Sequence, residues 1–226
     1  MVKSYASGMR QRMHTRKWRE TMMKRIGTLL LVAILLCTAT TALAGAPYVN
    51  KNNGYVATIP EGWIMMDSET IDEVMDAIRS GEIDGMDLSS IEQYLPQIEQ
   101  MDMAIFMSDD GATNYNILYQ PVEKQYTAQE LIDELAPEIT KQYRTVFTDL
   151  TVVDIGSIQT IGNFKFFKVQ FSVVSSGIRL EIAQYGYCGA SSLYVFSFSR
   201  EDSPLNTAPD LATLAEEVLT AFKPGN

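Results

Sequence analysis

The chain has 226 residues, 18 basic and 28 acidic, with one histidine and two cysteines. That length suits one domain or two small ones. The acidic excess excludes ordinary binding to nucleic acid or to an anionic lipid surface.

The first elements belong to export rather than to a fold. Residues 27–37 form an apolar run preceded by Lys24-Arg25 and followed by Thr-Ala-Thr-Thr-Ala-Leu-Ala. A basic lead, a short apolar centre and a small-x-small end read as a secretory signal peptide over residues 1–44, cleaved between Ala44 and Gly45. The run is too short for a bilayer span, which takes about 20 apolar residues. The alternative is lipid attachment at Cys37, which Leu35-Leu36 argue against because a small residue normally precedes a lipidated cysteine. Met22 and Met23 stand directly before the basic pair, so translation has a second plausible start there.

Eight of the 18 basic residues and one of the 28 acidic ones (Glu20) precede residue 45, which leaves 10 and 27, a net charge of −17. The only histidine, His14, lies in the leader as well. Of the cysteines only Cys188 remains, so no disulfide forms within the exported chain. Its thiol is expected to be buried and inert, the alternative being a bond between chains.

Residues 45–52 read as a polar lead-in. From Asn53 the sequence runs Asn-Gly-Tyr-Val-Ala-Thr-Ile-Pro-Glu-Gly-Trp. Asn53-Gly54 supplies a tight turn. A strand follows with Tyr55, Ala57 and Ile59 on one face, Pro60 ends it, Gly62 turns the chain and Trp63 anchors it. This strand is expected to open the sheet, with later strands pairing to it.

Thr70 and Glu73 then cap a helix with Ile71, Val74, Met75 and Ile78 on one face, ending at Gly81. Leu88, Ile91, Leu95 and Ile98 suggest a second helical piece. Met103, Ile105 and Met107 alternate along a strand, as do Tyr115, Ile117 and Tyr119, with Asp109-Asp110-Gly111 as the hairpin loop. Thr127 and Glu130 cap the next helix, whose apolar stripe is Leu131, Leu135, Ile139, Tyr143 and Val146, with a kink expected at Pro137. A meander follows, from Val153 to Ser199, turning at Gly162-Asn163, Ser175-Ser176-Gly177 and residues 189–192. The last helix carries Leu211, Leu214, Ala215, Val218, Leu219 and Phe222 at helical spacing after Thr207 and Pro209. Without a linker or an internal repeat, residues 45–226 read as a single α+β domain, a mostly antiparallel sheet of about seven strands covered by helices.

The order strand, N-G-Y-x-x-x-I-P-E-G-W, helix, two strands, helix, four-strand meander and terminal helix resembles the PsbP-like fold. That fold is shared by a photosystem accessory subunit, Ran-binding Mog proteins and bacterial envelope proteins of the DcrB type. The resemblance covers residues 48–224, and its quotable motif is Asn53, Gly54, Pro60, Gly62 and Trp63 with the residues between them. It implies an α/β/α sandwich and accessory or binding roles rather than a shared catalytic site. The chain departs from the pattern by an acidic, Met-rich segment at 64–101.

The missing residue types restrict chemistry. Without histidine in the exported chain, Ser-His-Asp and Cys-His catalysis and His-ligated zinc are excluded. No nucleophile-elbow, Ser-x-x-Lys or phosphate-loop motif occurs there. A carboxylate-pair hydrolase stays open, though 27 acids single out no pair. Asp109, Asp110 and Asn114 offer oxygen ligands of the kind calcium takes, against the plainer reading of a hairpin turn. Asp84-Gly85-Met86-Asp87 carries the same two readings.

All seven methionines after residue 44 (65, 66, 75, 86, 101, 103 and 107) fall within 43 residues, and residues 67–110 hold 13 acids and one base, Arg79. The methionines read as core filling, as an adaptable contact surface or as Cu(I) ligands. The acids read as a solvated face or as a docking surface for a basic protein, with Asp72, Asp76, Glu82, Asp84 and Met86 as its contact residues. The expectation is an exported, non-catalytic binding or accessory domain without a cofactor; the alternative is an extracytoplasmic small-ligand or calcium-binding protein.

Overall fold

The computed structural model describes residues 42–43, 46–66, 103–147, 149–175 and 177–225. Nearly all of the expected leader with Cys37, both helical pieces at 70–98, and Asp72, Asp76, Glu82, Asp84 and Met86 lie outside the described residues.

One antiparallel sheet organises the domain. Its strands are β1 (Ala42–Leu43), β4 (Trp63–Met66), β5 (Met103–Met107), β6 (Thr113–Pro121), β7 (Asp149–Ile161), β8 (Phe164–Ser175), β9 (Ile178–Cys188) and β10 (Ser192–Glu201), in the spatial order β1-β4-β5-β6-β10-β9-β8-β7. A second, two-stranded sheet joins β2 (Pro47–Val49) to β3 (Val56–Thr58). Without the dipeptide β1, which falls inside the expected leader, the main sheet is the seven-stranded α+β sheet read from the sequence.

Both sheet faces are covered, which makes the strands apolar on two sides. Helix α1 (Ala128–Val146) packs Leu131, Leu135, Ile139 and Tyr143 into one layer with Phe167, Val169, Phe171 and Val173 of β8. Helix α2 (Leu211–Ala221) packs Leu211, Leu214, Ala215, Val218 and Leu219 into the other, against the aromatic rows of β6 and β10. Phe222, just past α2, stands 4.9 Å from Phe196 and 5.0 Å from Tyr194 between ring centroids, both edge-on.

The capping signal for α1 is present as read from the sequence. Thr127 accepts from the Glu130 amide and Glu130 reaches back to the Thr127 amide at 2.8 Å, satisfying two donors that the first turn leaves over. The helix continues through Pro137 to Val146. Helix α2 starts from Asp210, whose carboxylate accepts the Thr213 amide at 2.9 Å, rather than from Thr207 or Pro209.

The expected opening strand needs correction. Tyr55, Ala57 and Ile59 do share a buried face, but β3 does not belong to the main sheet. It pairs with β2, inside the stretch read as a polar lead-in, and on its other side Val56 exchanges two backbone hydrogen bonds with Lys223. After β1 the chain next enters the main sheet at Trp63, which is buried and begins β4. Pro60 cannot donate to a ladder and Gly62 has φ of 78°, so the chain turns between the two sheets. The Tyr115 hydroxyl donates to the Thr58 carbonyl and ties the small sheet to the large one.

The meander begins earlier than expected, at Asp149. Register shifts between Val152 and Asp154 and again between Asp154 and Ser157 insert extra residues in β7. Alternation of burial nevertheless runs from Asp149 to Gly156 and is lost only beyond it.

Candidate functional site

The oxygen-rich loop is a hydrogen-bonded hairpin turn. Gly111 adopts φ of 70°. Asp110 accepts the Ser108 hydroxyl at 2.6 Å and the Ala112 amide at 2.9 Å, and the Ser108 hydroxyl chiefly holds its carboxyl below the usual range. Asp109 and Asp110 are exposed, whereas Asn114 is buried in β6 opposite Met107. Among the described residues no group of three or more His, Cys, Asp or Glu could hold a metal ion. Of the methionines with described side chains, Met103 and Met107 sit in the α1-side layer and Met65 packs in the other.

What the sheet does bring together is a row of uncharged polar side chains across its middle. Asn116 of β6 pairs with Ser197 of β10, and Ser197 pairs with Gln184 of β9. Directly paired residues point to the same face. The row continues into Ile105 on one flank and Val169 on the other, both members of the α1-side layer. All three polar residues are buried, Gln184 to 0% exposure.

Only part of this row is satisfied internally. Gln184 Nε2 donates to Ser197 Oγ at 2.9 Å. The carboxamide oxygens of Asn116 and Gln184 are buried without a hydrogen-bond partner among the described residues, as are those of Asn114 and Gln120 at either side along β6. A buried acceptor left unpaired costs about 1–3 kcal/mol. Four of them cost about 4–12 kcal/mol, comparable with the whole stability of a domain, about 5–15 kcal/mol. Such groups are normally met by ordered water, by other residues of the chain or by a ligand.

The surroundings are apolar. Tyr143 of α1 stacks on Phe171 with centroids 4.5 Å apart, and its hydroxyl is a further buried group without a partner among the described residues. Burial alone pushes the Tyr143 hydroxyl well above its ordinary value, so it stays protonated as a potential donor. Cys188 lies at the end of the same layer, buried as expected, with its sulfur accepting the Tyr126 amide at 3.2 Å. Burial raises its thiol above the ordinary value, against the smaller lowering effect of that amide, which keeps it a thiol.

No family model and no curated protein matches the chain. Among solved structures, a protein from Bacteroides thetaiotaomicron matches at 12% identity and a TM-score of 0.48, over 81% of this chain and 50% of its own. LpqN, involved in cell envelope biogenesis of Mycobacterium tuberculosis, matches at 13% identity and a TM-score of 0.39, over 82% of this chain and 90% of its own. The chain thus spans about half the length of the Bacteroides protein.

The amide row was missed in the sequence because of where alternation places it. Tyr115, Ile117 and Tyr119 read as the apolar face of β6, which assigns Asn114, Asn116 and Gln120 to solvent. The structure buries both faces of the strand. One signal was available: Leu118 falls between Asn116 and Gln120, out of character for a solvated face.

Proposed function

We propose that the protein is a non-catalytic binding domain that works outside the cytoplasm and holds its ligand through the amide row of Asn116, Ser197 and Gln184. The observation that carries this reading is the set of buried carboxamide oxygens with no partner among the described residues. Amides accept and donate hydrogen bonds but neither attack nor transfer protons at neutral pH, so the arrangement suits retention of a molecule rather than its conversion. The signal-like leader and the PsbP-like order of elements support export and an accessory role. Native mass spectrometry of the protein isolated from the extracytoplasmic fraction tests the reading. A stoichiometric bound species lost on Asn116→Leu is the expected result; a ligand-free protein with full biological activity would overturn it.

A second reading, docking of a basic protein, rests on the net charge of −17 and on the 13 acids in residues 67–110. Asp72, Asp76, Glu82, Asp84 and Met86 would carry it, with the acids steering association and methionine supplying apolar contact. Neutralising the four acids should slow association with the captured partner and remove its salt dependence, leaving dissociation nearly unchanged. Equal association rates would return the segment to a solvated surface.

A further inference from the structure

We infer that the last residues of the chain, Phe222 to Gly225, form a latch that holds the small sheet closed as a lid over the aromatic face of the main sheet. The small sheet is a separate ladder from the main one. It meets the main sheet through side chains. The Tyr48 ring stands edge-on to Phe106 of β5 with centroids 5.4 Å apart, and Tyr55 stands edge-on to Tyr194 of β10 at 5.7 Å. The Tyr115 hydroxyl of β6 donates to the Thr58 carbonyl. Phe106, Tyr115 and Tyr194 are all buried. This is the α2 side of the sheet, opposite the amide row, so the inference does not depend on the binding reading above.

The tail holds the lid at successive points. Phe222 sets its ring edge-on to Tyr187, Tyr194 and Phe196, which fixes where the tail begins. Lys223 then acts as a third strand on β3. Its amide donates to the Val56 carbonyl at 3.0 Å and its carbonyl accepts the Val56 amide at 2.9 Å. Two residues on, the Gly225 amide donates to the Tyr194 hydroxyl at 3.0 Å. Gly225 also lies against the Asn53-Gly54 turn, where a Cβ would come within 2.1 Å of the Asn53 carbonyl oxygen. Glycine permits that approach because it has no Cβ. Tyr194 therefore touches both parts, Tyr55 of the lid and Gly225 of the latch. Chain ends are loose unless tied down, and folded proteins open locally in contiguous units the size of a supersecondary motif. Release of the tail frees the outer edge of β3 and loosens Tyr48 and Tyr55, which opens the aromatic face beneath them.

Native-state hydrogen exchange of the full chain, read region by region by mass spectrometry, tests the latch. Gly225→Val places a branched side chain where the Asn53 carbonyl stands, and Lys223→Pro removes the amide that bonds to Val56. In both variants the amides of residues 47–58 should exchange about tenfold or more faster than in wild type, while those of β8 and β9 keep their protection. Gly225→Ala, the milder change, should show the same regional pattern. Each variant should also bind more of the dye ANS than wild type, as newly exposed apolar surface does. Unchanged exchange over 47–58 in Gly225→Val and Lys223→Pro overturns the latch. Loss of protection spread equally over β8 and β9 overturns it too, because the tail would then be part of one undivided core, and a variant that fails to fold gives this same result.

Discussion

The ring of Phe167 occupies the space in which a side chain on Gly186 would stand. A Cβ built on Gly186 comes within 1.8 Å of Phe167 Cε1 and 2.5 Å of Cδ1 and Cζ. The two residues are direct cross-strand partners on β8 and β9, and Phe167 is fully buried in the α1-side layer. Glycine is required here for close approach, because the ring cannot withdraw without displacing other core atoms.

Gly186→Ala is therefore expected to destabilise the domain by about 1–3 kcal/mol, the usual cost of overpacking. Adding Phe167→Leu should recover part of that loss, since the smaller side chain frees the space. Denaturant midpoints of the single and double variants check it, and strictly additive losses would show that the two side chains do not compete.

Trp63 is the second test. It is buried at the start of β4, its ring centroid 5.9 Å from that of Tyr115. Trp63→Ala should cost about 3–5 kcal/mol, as large-to-small changes in a core do. A loss near the surface norm of about 0.5 kcal/mol would mean that β4 leaves the sheet in solution.

Buried tyrosines set the alkaline limit. Burial raises the hydroxyls of Tyr115 and Tyr143 well above 10, and pushes Tyr185 up to about 12 with smaller help from Asp154 and Asp210. The unfolded chain loses these protons near pH 10 while the folded chain keeps them. Their contribution is thus fully present below pH 10 and fades as pH rises through about 12. Tyrosinate absorbance should lag behind that of the denatured chain over this range and then rise together with unfolding. Full ionisation of every tyrosine near pH 10 with the fold intact would contradict the burial described.

Cys188 should resist thiol reagents in the native protein and react stoichiometrically once denatured, because the thiolate is the reactive form and burial disfavours it. Mass measurement after brief alkylation reads this. Rapid native labelling would show an exposed free thiol, and a dimer sensitive to reductant would favour the bond between chains instead.

Local rules were sufficient wherever an element's signal lies within a few residues. The Thr127–Glu130 box, the stripe of α2, the turn at Asp109-Asp110-Gly111 and the alternation of Phe167, Val169, Phe171 and Val173 all depend on neighbours in sequence, and all are present. Burial of Trp63 and of Cys188 followed in the same way from their chemistry. Tertiary structure alone decided the rest. Whether β3 joins the main sheet depends on Lys223, some 167 residues further on, whose backbone pairs with Val56. Beyond Gly156, β7 loses the alternation that a regular strand would show. The amide row is spread over β6, β10 and β9, with Asn116 and Gln184 far apart in the chain and joined only through Ser197. Alternation separates the two faces of a strand but does not say which face meets solvent; that is settled by what packs on it, and here both faces are covered.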